Sequence, residues 1–534
     1  MTLACFALLI KLMAVELDTP SPLAYDSCSN EARTCILIGR VPLCLLEATL
    51  EQCSQGVFWL VDEAFEPSVS LNGLLRVPVD SVSEEDFMQV LGRFLFRASG
   101  VLPGIRVGDT TNLMHAECYE CFSQKIAELL RSAVSFMPSQ QVRAEPPSFE
   151  RQVCVLRNIN HWMQRRAPAN LGGALAGKPA LIVGSGPSLE VSLASLRPWW
   201  DRFIVFAVDS SLKTLHEESL RVDCVVNIDP DKVRRVCVPE SMEVPRVALT
   251  LQSSSDWLNG IEQSWMLSLS LFTEHWLKDH GVAMSACPAA SNCGLTAMLF
   301  AQYLGCQQIF LAGIDMACDS VDPSKTHASK ANNPFDEAVA SEVEKVRSSA
   351  EVCVVPGNYA EEVPTIFYRF YEETNAWLRL HGDMLDVVNV NDRGAVLEST
   401  RLVHPKDLKT YVETLDLQPI EGDFVVHTFA RVDGEVVEDA VGDQVFQLME
   451  AAAKRGLILL EAFENFMEDQ SADAVKALRK LALDPDISAL LGCYFMDRMT
   501  CLAADEPMSP VQIKAMLHYV RGLLCVAQDV AQSR

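Results

Sequence analysis

Lys178-Pro-Ala-Leu-Ile-Val-Gly-Ser-Gly-Pro-Ser-Leu-Glu190 is the stretch that decides the fold. Ala180 to Val183 form an apolar run that reads as a buried strand, Gly184 and Gly186 let the chain turn tightly, and an amphipathic helix opens after Ser188. Ser188 suits the capping position of that helix, and Pro187 fits a turn or a first helical position because it has no N–H to lose. A strand that turns through glycines into a helix aims backbone N–H groups and the positive end of a helix dipole at one spot. An anion is the natural guest there, and a nucleotide phosphate is the commonest one. The same turn also serves as a plain strand-to-helix connection, so its weight comes from the sequence around it.

Outward from this turn, strand-like and helix-like runs alternate. Ala180–Val183, Phe203–Val208, Cys224–Ile228, Val247–Leu251, Ile309–Ala312 and Asp386–Val390 are candidate strands of a parallel sheet. Cys35 to Ile38 and Val57 to Val61 predict a smaller α/β lobe upstream. From Cys118 to Arg166 the periodicity is helical, with Ile126, Leu129, Leu130 and Val134 on one face. Beyond residue 400 helical periods recur at Val445, Leu448, Met449 and Ala452, at Val475, Leu478 and Leu481, and at Ile513, Leu517 and Val520. The expected division is an N-terminal α/β lobe (1–115), a helical linker (116–170), an α/β core domain (171–400) and a helical C-terminal domain (401–534).

Composition fits such a chain. With 534 residues, of which 49% are apolar and 22% charged, there is material for about three or four packed domains. The 71 acidic against 44 basic residues give a net charge of −27, which repels phosphate backbones and anionic lipid and argues against a nucleic-acid partner. The 18 cysteines are scattered without a small-domain framework and predict reduced, buried thiols. Cys118-Tyr-Glu-Cys121 lacks the second pair that a zinc site needs, and no metal site is expected. The apolar opening Met1 to Ile10 has no basic residue before it and reads as a strand, a buried helix or an over-extended start rather than a signal peptide. No run is long enough to span a membrane, so a cytoplasmic protein is expected.

In a doubly wound sheet, ligands lie outside the carboxyl ends of the strands, so the residues just past each strand are the candidates. These are Gly184, Ser185, Gly186, Pro187 and Ser188, then Asp209 and Ser210, Asp229, and Gly313 with Asp315. An Asp after a strand also closes turns and caps helices, so the force of the pattern lies in convergence on one rim. Ser291 and Asn292 precede a helix that runs to Gly305 and form a second positive end. His327, in Lys325-Thr-His327, lies on the polar loop after Asp315 and is suited to accept a proton. In the first lobe, Val57-Phe-Trp-Leu-Val-Asp-Glu63 ends in acids where many folds hold a ribose. Its glycine loop, Gly39-Arg-Val-Pro42, has a single glycine, which favours a structural lobe.

The elements Gly184-Ser-Gly-Pro-Ser-Leu189, Ala207-Val-Asp-Ser-Ser211, Asn227-Ile-Asp-Pro230, Leu311-Ala-Gly-Ile-Asp315 and Lys325-Thr-His-Ala328, with the helix from Ser291 to Gly305, occur in an order that resembles the motility-associated factor (Maf) flagellin glycosyltransferases. Those enzymes contain a 6-hydroxymethylpterin pyrophosphokinase MptE-like domain. The paired glycine-turn and L-x-G-I-D elements are also similar to those of bacterial sialyltransferases. Asn389-Val-Asn-Asp-Arg-Gly-Ala395 is similar to the turn that closes the family's core, with Arg393 in place of a glycine. The resemblance covers residues 150 to 400 and implies a Rossmann-like, sialyltransferase-like α/β core. It implies transfer of a nonulosonic (sialic-acid-like) sugar from a CMP donor to Ser or Thr of flagellin, with no cofactor required. Gly184 to Ser188 and then Ser291 and Asn292 would hold the phosphate, and Asp209, Ser210 and Asp229 the ribose or cytosine. Asp315 would stabilise or orient the donor, and His327 would be the base. The alternatives are a pterin pyrophosphokinase, with Asp209, Asp229 and Asp315 gathering Mg²⁺, and a non-catalytic flagellin-binding scaffold.

Overall fold

The computed structural model describes residues 35–53, 57–62, 74–83, 87, 104–107, 118, 119, 122, 126, 145–261, 263–319, 325–328, 352–382, 384–429, 436–468, 484–502 and 510–533. Met1 to Ile10, Glu63, Cys121, Leu129, Leu130, Val134, Val475, Leu478 and Leu481 lie outside the described residues. The chain divides into two compact units, one drawn from Met1–Ser148, Leu271–Gly281 and Val445–Arg534, the other from Phe149–Ser270 and Val282–Gln444.

In the first unit, β1 (Cys35–Ile38), β2 (Val57–Val61), β3 (Leu74–Pro78) and β4 (Gly104–Val107) form a parallel sheet in the order β3-β2-β1-β4. Because successive side chains on a strand face opposite ways, Ile36, Phe58 and Leu60 pack with Phe87 on one face, while Leu37, Val57, Trp59 and Val61 form a separate cluster on the other. Both faces are covered, which explains runs that are apolar at every position. Asp62 follows β2 and is buried. The Arg40 guanidinium grips its carboxylate at 2.8 and 2.9 Å, and the Tyr119 hydroxyl donates to it at 3.1 Å. The Arg40 hydrogen bonds, with help from Tyr119, outweigh burial and hold its pKa below the ordinary range. This carboxylate works as a structural clamp between Arg40 and Tyr119.

The same unit holds the helix Asp439–Glu468 from Val445 onward and the helices Pro485–Leu502 and Pro510–Gln532, whose buried faces include Val445, Met449 and Ala452, then Leu490 and Leu491, then Leu517 and Val520. The helix Phe272–Asp279, although it lies within the core segment in sequence, joins them: Thr273 Oγ1 donates to the Ala489 carbonyl at 2.8 Å and Trp276 Nε1 to Asp486 at 2.9 Å.

The second unit is built on eight strands: β5 (Ala180–Val183), β6 (Ile204–Val208), β7 (Cys224–Val226), β8 (Arg246–Thr250), β9 (Gln263–Leu267), β10 (Gln308–Ala312), β13 (Asp386–Val390) and β14 (Arg401–Val403). The pair β11 (Cys353–Pro356) and β12 (Glu362–Thr365) forms a separate antiparallel hairpin. The large sheet is parallel, in the order β14-β13-β10-β5-β6-β7-β8-β9. The six core strands predicted from sequence are present, and the edge strands β9 and β14 are additional. The chain starts at β5, winds outward to β9, then returns to the other side of β5 at β10. The switch point therefore lies between β5 and β10, where Val183 is in register with Ala312. The helix Cys293–Tyr303 is apolar on nearly every side and is buried accordingly, with Phe300 set against Phe206 and Trp265 at centroid distances of 5.8 and 5.9 Å. No described helix is long and apolar enough to cross a membrane.

Candidate functional site

At the switch point the turn after β5 and the turn after β10 press against each other. A side chain on Gly184 would place its Cβ 2.3 Å from the Gly313 carbonyl oxygen, and one on Gly186 would lie 2.5 Å from Asp315 Oδ2. The glycines are thus demanded by close backbone approach rather than by turn geometry alone. The Gly184 and Gly186 N–H groups donate to the carbonyls of Ala312 and Gly313, both at 2.8 Å. The cap expected of Ser188 is not formed: its hydroxyl donates to Asp315 Oδ1 at 2.5 Å, and its N–H donates to Asp315 Oδ2 at 2.7 Å. Asp315 supplies the capping carboxylate from across the sheet. Burial pushes its carboxyl up to about 6, against the pull of the two Ser188 bonds.

The opposite wall comes from the turns after β6 and β7. Asp209 is buried, accepts from Asn227 Nδ2 at 2.7 Å and pairs with Lys232 Nζ at 3.2 Å. Burial opposes the Lys232 charge, yet Asp209 and then Asp229 outweigh it and hold the ammonium protonated well above the usual lysine range. Asp229 Oδ1 accepts the Asp231 N–H at 3.1 Å and closes the turn that carries Lys232. Ser185 and Ser210 share a hydroxyl hydrogen bond of 2.8 Å across the floor. Asn292 caps the helix Cys293–Tyr303 by accepting the Leu295 N–H at 2.8 Å, and its buried Nδ2 has no hydrogen-bond partner. Ser291 instead turns its N–H and hydroxyl onto the Glu373 carboxylate.

The segment 325–328 is tied to the glycine turn, since the Ala328 N–H donates to the Ser185 carbonyl at 2.8 Å. His327 Nδ1 lies 2.8 Å from Thr326 Oγ1, and its ring meets Phe367 edge-on at 6.4 Å. Behind Asp315, the Asn391 to Ala395 turn packs closely: the Ala395 N–H donates to the Asp315 carbonyl at 2.8 Å, and Arg393 pairs with Asp392 and Asp319 at 2.8 and 3.0 Å.

The result is a solvent-open hollow of about 570 Å³, mouth included. Among the residues expected to form a site, Gly184, Ser185, Gly186, Ser210, Asn292, Gly313, Asp315 and His327 line it. Ser188 and Asp209 lie one step behind, bonded to lining side chains, while Pro187, Asp229 and Ser291 are not part of its lining. Sequence reasoning missed Lys232, Cys293, Thr326 and Phe367, which line it too. Lys232, placed past a strand end among acids, gave a usable signal; the other three gave none. Among the described residues no group of His, Cys, Asp or Glu side chains is placed to hold a metal ion.

The family model described as "6-hydroxymethylpterin diphosphokinase MptE-like" matches residues 154–320, which include β5 to β10 and both turns of the switch point. This stretch is an MptE-like domain. The hairpin, β13, β14 and the His327 segment lie beyond the matched residues. A solved structure described as "Structure of MAf glycosyltransferase from Magnetospirillum magneticum AMB-1" aligns over 99% of this chain and 83% of its own, with 13% sequence identity and a TM-score of 0.47. No curated protein matches the chain.

Proposed function

We propose that the chain is a glycosyltransferase that moves a nonulosonic sugar from a CMP donor to Ser or Thr hydroxyls of flagellin, and that the hollow at the switch point binds the donor. The observation that supports this most directly is convergence: turns from β5, β6, β7 and β10, a helix end and the His327 segment meet around one open cavity that mixes apolar walls with a few polar groups. In the reaction, the bond between the sugar's anomeric carbon and the phosphate oxygen breaks, CMP leaves with the electron pair, and the acceptor hydroxyl oxygen forms the new bond. His327 takes the hydroxyl proton. Thr326 Oγ1 and His327 Nδ1 can exchange donor and acceptor roles; in the tautomer that serves this step Nδ1–H donates to Thr326 Oγ1 and the lone pair is on Nε2, the proposed acceptor. Asp315 is committed to Ser188 and acts as the brace that fixes the turn rather than as a mobile acid.

The family description favours one second reading, a pterin diphosphokinase that binds ATP with Mg²⁺. Against it, Asp209 is paired with Lys232 and Asn227, Asp315 is bound by Ser188, and Asp229 closes its own turn, so the three carboxylates proposed to gather a cation are already engaged with protein donors. Calorimetric titration of the whole chain separates the readings. CMP binding that persists in EDTA supports the transferase, ATP binding that requires Mg²⁺ supports the kinase, and the failure of both leaves a scaffold. Mass spectrometry of flagellin from cells with and without this chain tests the acceptor: the same sugar in both samples removes the proposed role.

A further inference from the structure

The hollow has two places that could receive negative charge, and the structure distinguishes them. At the glycine turn most donors are already engaged: the Gly184, Gly186, Ser188 and Leu189 N–H groups donate to Ala312, Gly313, Asp315 and Gly186, Pro187 has no N–H, and the Ser185 hydroxyl is shared with Ser210, which leaves the turn a single backbone donor, the Ser185 N–H. An anion arriving there would also face the Asp315 carboxylate, whose Oδ2 stands 2.5 Å from where a Gly186 Cβ would be.

The other wall offers a cation. Lys232 is the one Lys or Arg among the described residues that line the hollow. It is not a loose surface lysine. Its side chain is 13% exposed, its ammonium rests 3.2 Å from Asp209, and its carbonyl accepts from the buried Trp257 Nε1 at 2.7 Å, so backbone and head group are both positioned. Asn292 Nδ2, a buried donor with no partner, and the N-terminus of the helix Cys293–Tyr303 belong to the same hollow.

We infer that Lys232, assisted by Asn292 Nδ2, receives the anionic group of the ligand, and that the Gly184–Ser188 turn does not. Resting on the donor reading above, this assigns the CMP phosphate to Lys232 and leaves the glycine turn as the brace for Asp315. Lys232 is held in place by Asp209, with Asp229 also near, so the cluster brings no net positive charge; what the ammonium supplies is a positioned, charge-assisted hydrogen bond to the phosphate as the sugar departs.

The test compares CMP with cytidine, which differ by the phosphate, in calorimetric titrations of the full chain. Wild type should bind CMP about tenfold or more tighter than cytidine, the scale of a charge-assisted hydrogen bond. The ratio should fall towards one in Lys232→Met and survive in Lys232→Arg. Because Lys232→Met leaves Asp209 buried without its cation, Lys232→Met/Asp209→Asn restores neutrality and secures the comparison if the single variant unfolds; the ratio cancels any loss of nucleoside contacts. A CMP-to-cytidine ratio unchanged in the double variant overturns the inference, and its loss in Ser188→Ala would then place the phosphate on the glycine turn. Should wild type bind neither nucleoside nor nucleotide, the donor reading fails separately, and inorganic pyrophosphate decides the anion site. Binding that disappears in Lys232→Met/Asp209→Asn upholds it, while binding that persists, or none in wild type, rejects it.

Discussion

Gly186→Ala tests the brace between the two central turns. The added Cβ would stand 2.5 Å from Asp315 Oδ2 and 2.8 Å from the Gly313 carbonyl oxygen, inside the distance at which real Cβ atoms are found. The Gly313 oxygen is fixed by the Gly186 N–H, so the Asp315 side chain must give way. Its movement breaks the 2.7 and 2.5 Å bonds from Ser188 and leaves a buried carboxylate and a buried N–H without partners. At about 1.5 to 3 kcal/mol for each hydrogen bond to a charged group, the loss is about 3 to 6 kcal/mol. Urea unfolding followed by hydrogen exchange over residues 180–195 and 308–316 measures it locally, since a chain of two units need not unfold in one transition. Gly173→Ala is the control: its Cβ meets nothing within 4 Å, and its φ of +77° exacts only about 1 to 2 kcal/mol. If Gly186→Ala loses less than the control, or its structure shows Asp315 unmoved, the brace does not exist.

Asp315 should also leave a signature in pH. Its folded pKa of about 6 lies above the ordinary 3.8, so the folded state holds the proton more tightly and stability falls as pH rises from about 4 to 6, by on the order of 3 kcal/mol. Subtracting the urea midpoints of Asp315→Asn from those of wild type isolates this slope, and a difference flat across that window contradicts it. Asp62 has the opposite sign: its lowered pKa contributes stability above the ordinary carboxylate range that is lost as pH falls through the folded value. Arg40→Met should weaken the small sheet by about 1 to 3 kcal/mol, read from the fluorescence of buried Trp59, with no change at pH 7 counting against the clamp. Gly394→Ala, at φ +95° and with its Cβ 3.1 Å from the Asp315 backbone, should destabilise the same turn by about 1 to 3 kcal/mol, measured by thermal melting.

The strands around the site were legible because each is short, apolar and followed at once by polar residues: Ala180–Val183 runs into Gly184, and Gln308–Ala312 into Gly313 and Asp315. The edge strands were not. Gln263-Ser-Trp-Met-Leu267 mixes polar residues into its run, and Arg401-Leu-Val403 is three residues long with two exposed, as edge positions allow. Nor does periodicity reveal that Phe272–Asp279 packs with the C-terminal helices, because an amphipathic stripe states that a face is buried without naming its partner.

The sequence by itself determined a parallel α/β core and the polar strand ends that would border a ligand, since both follow from side-chain period and turn chemistry within a few residues. Only the tertiary structure decided what those ends do. Ser188 and Asp315 are 127 positions apart, and Asp209 and Lys232 belong to different turns. Strand order brings each pair within bonding distance, so it determines that one carboxylate closes the glycine turn while the other holds a cation at the hollow.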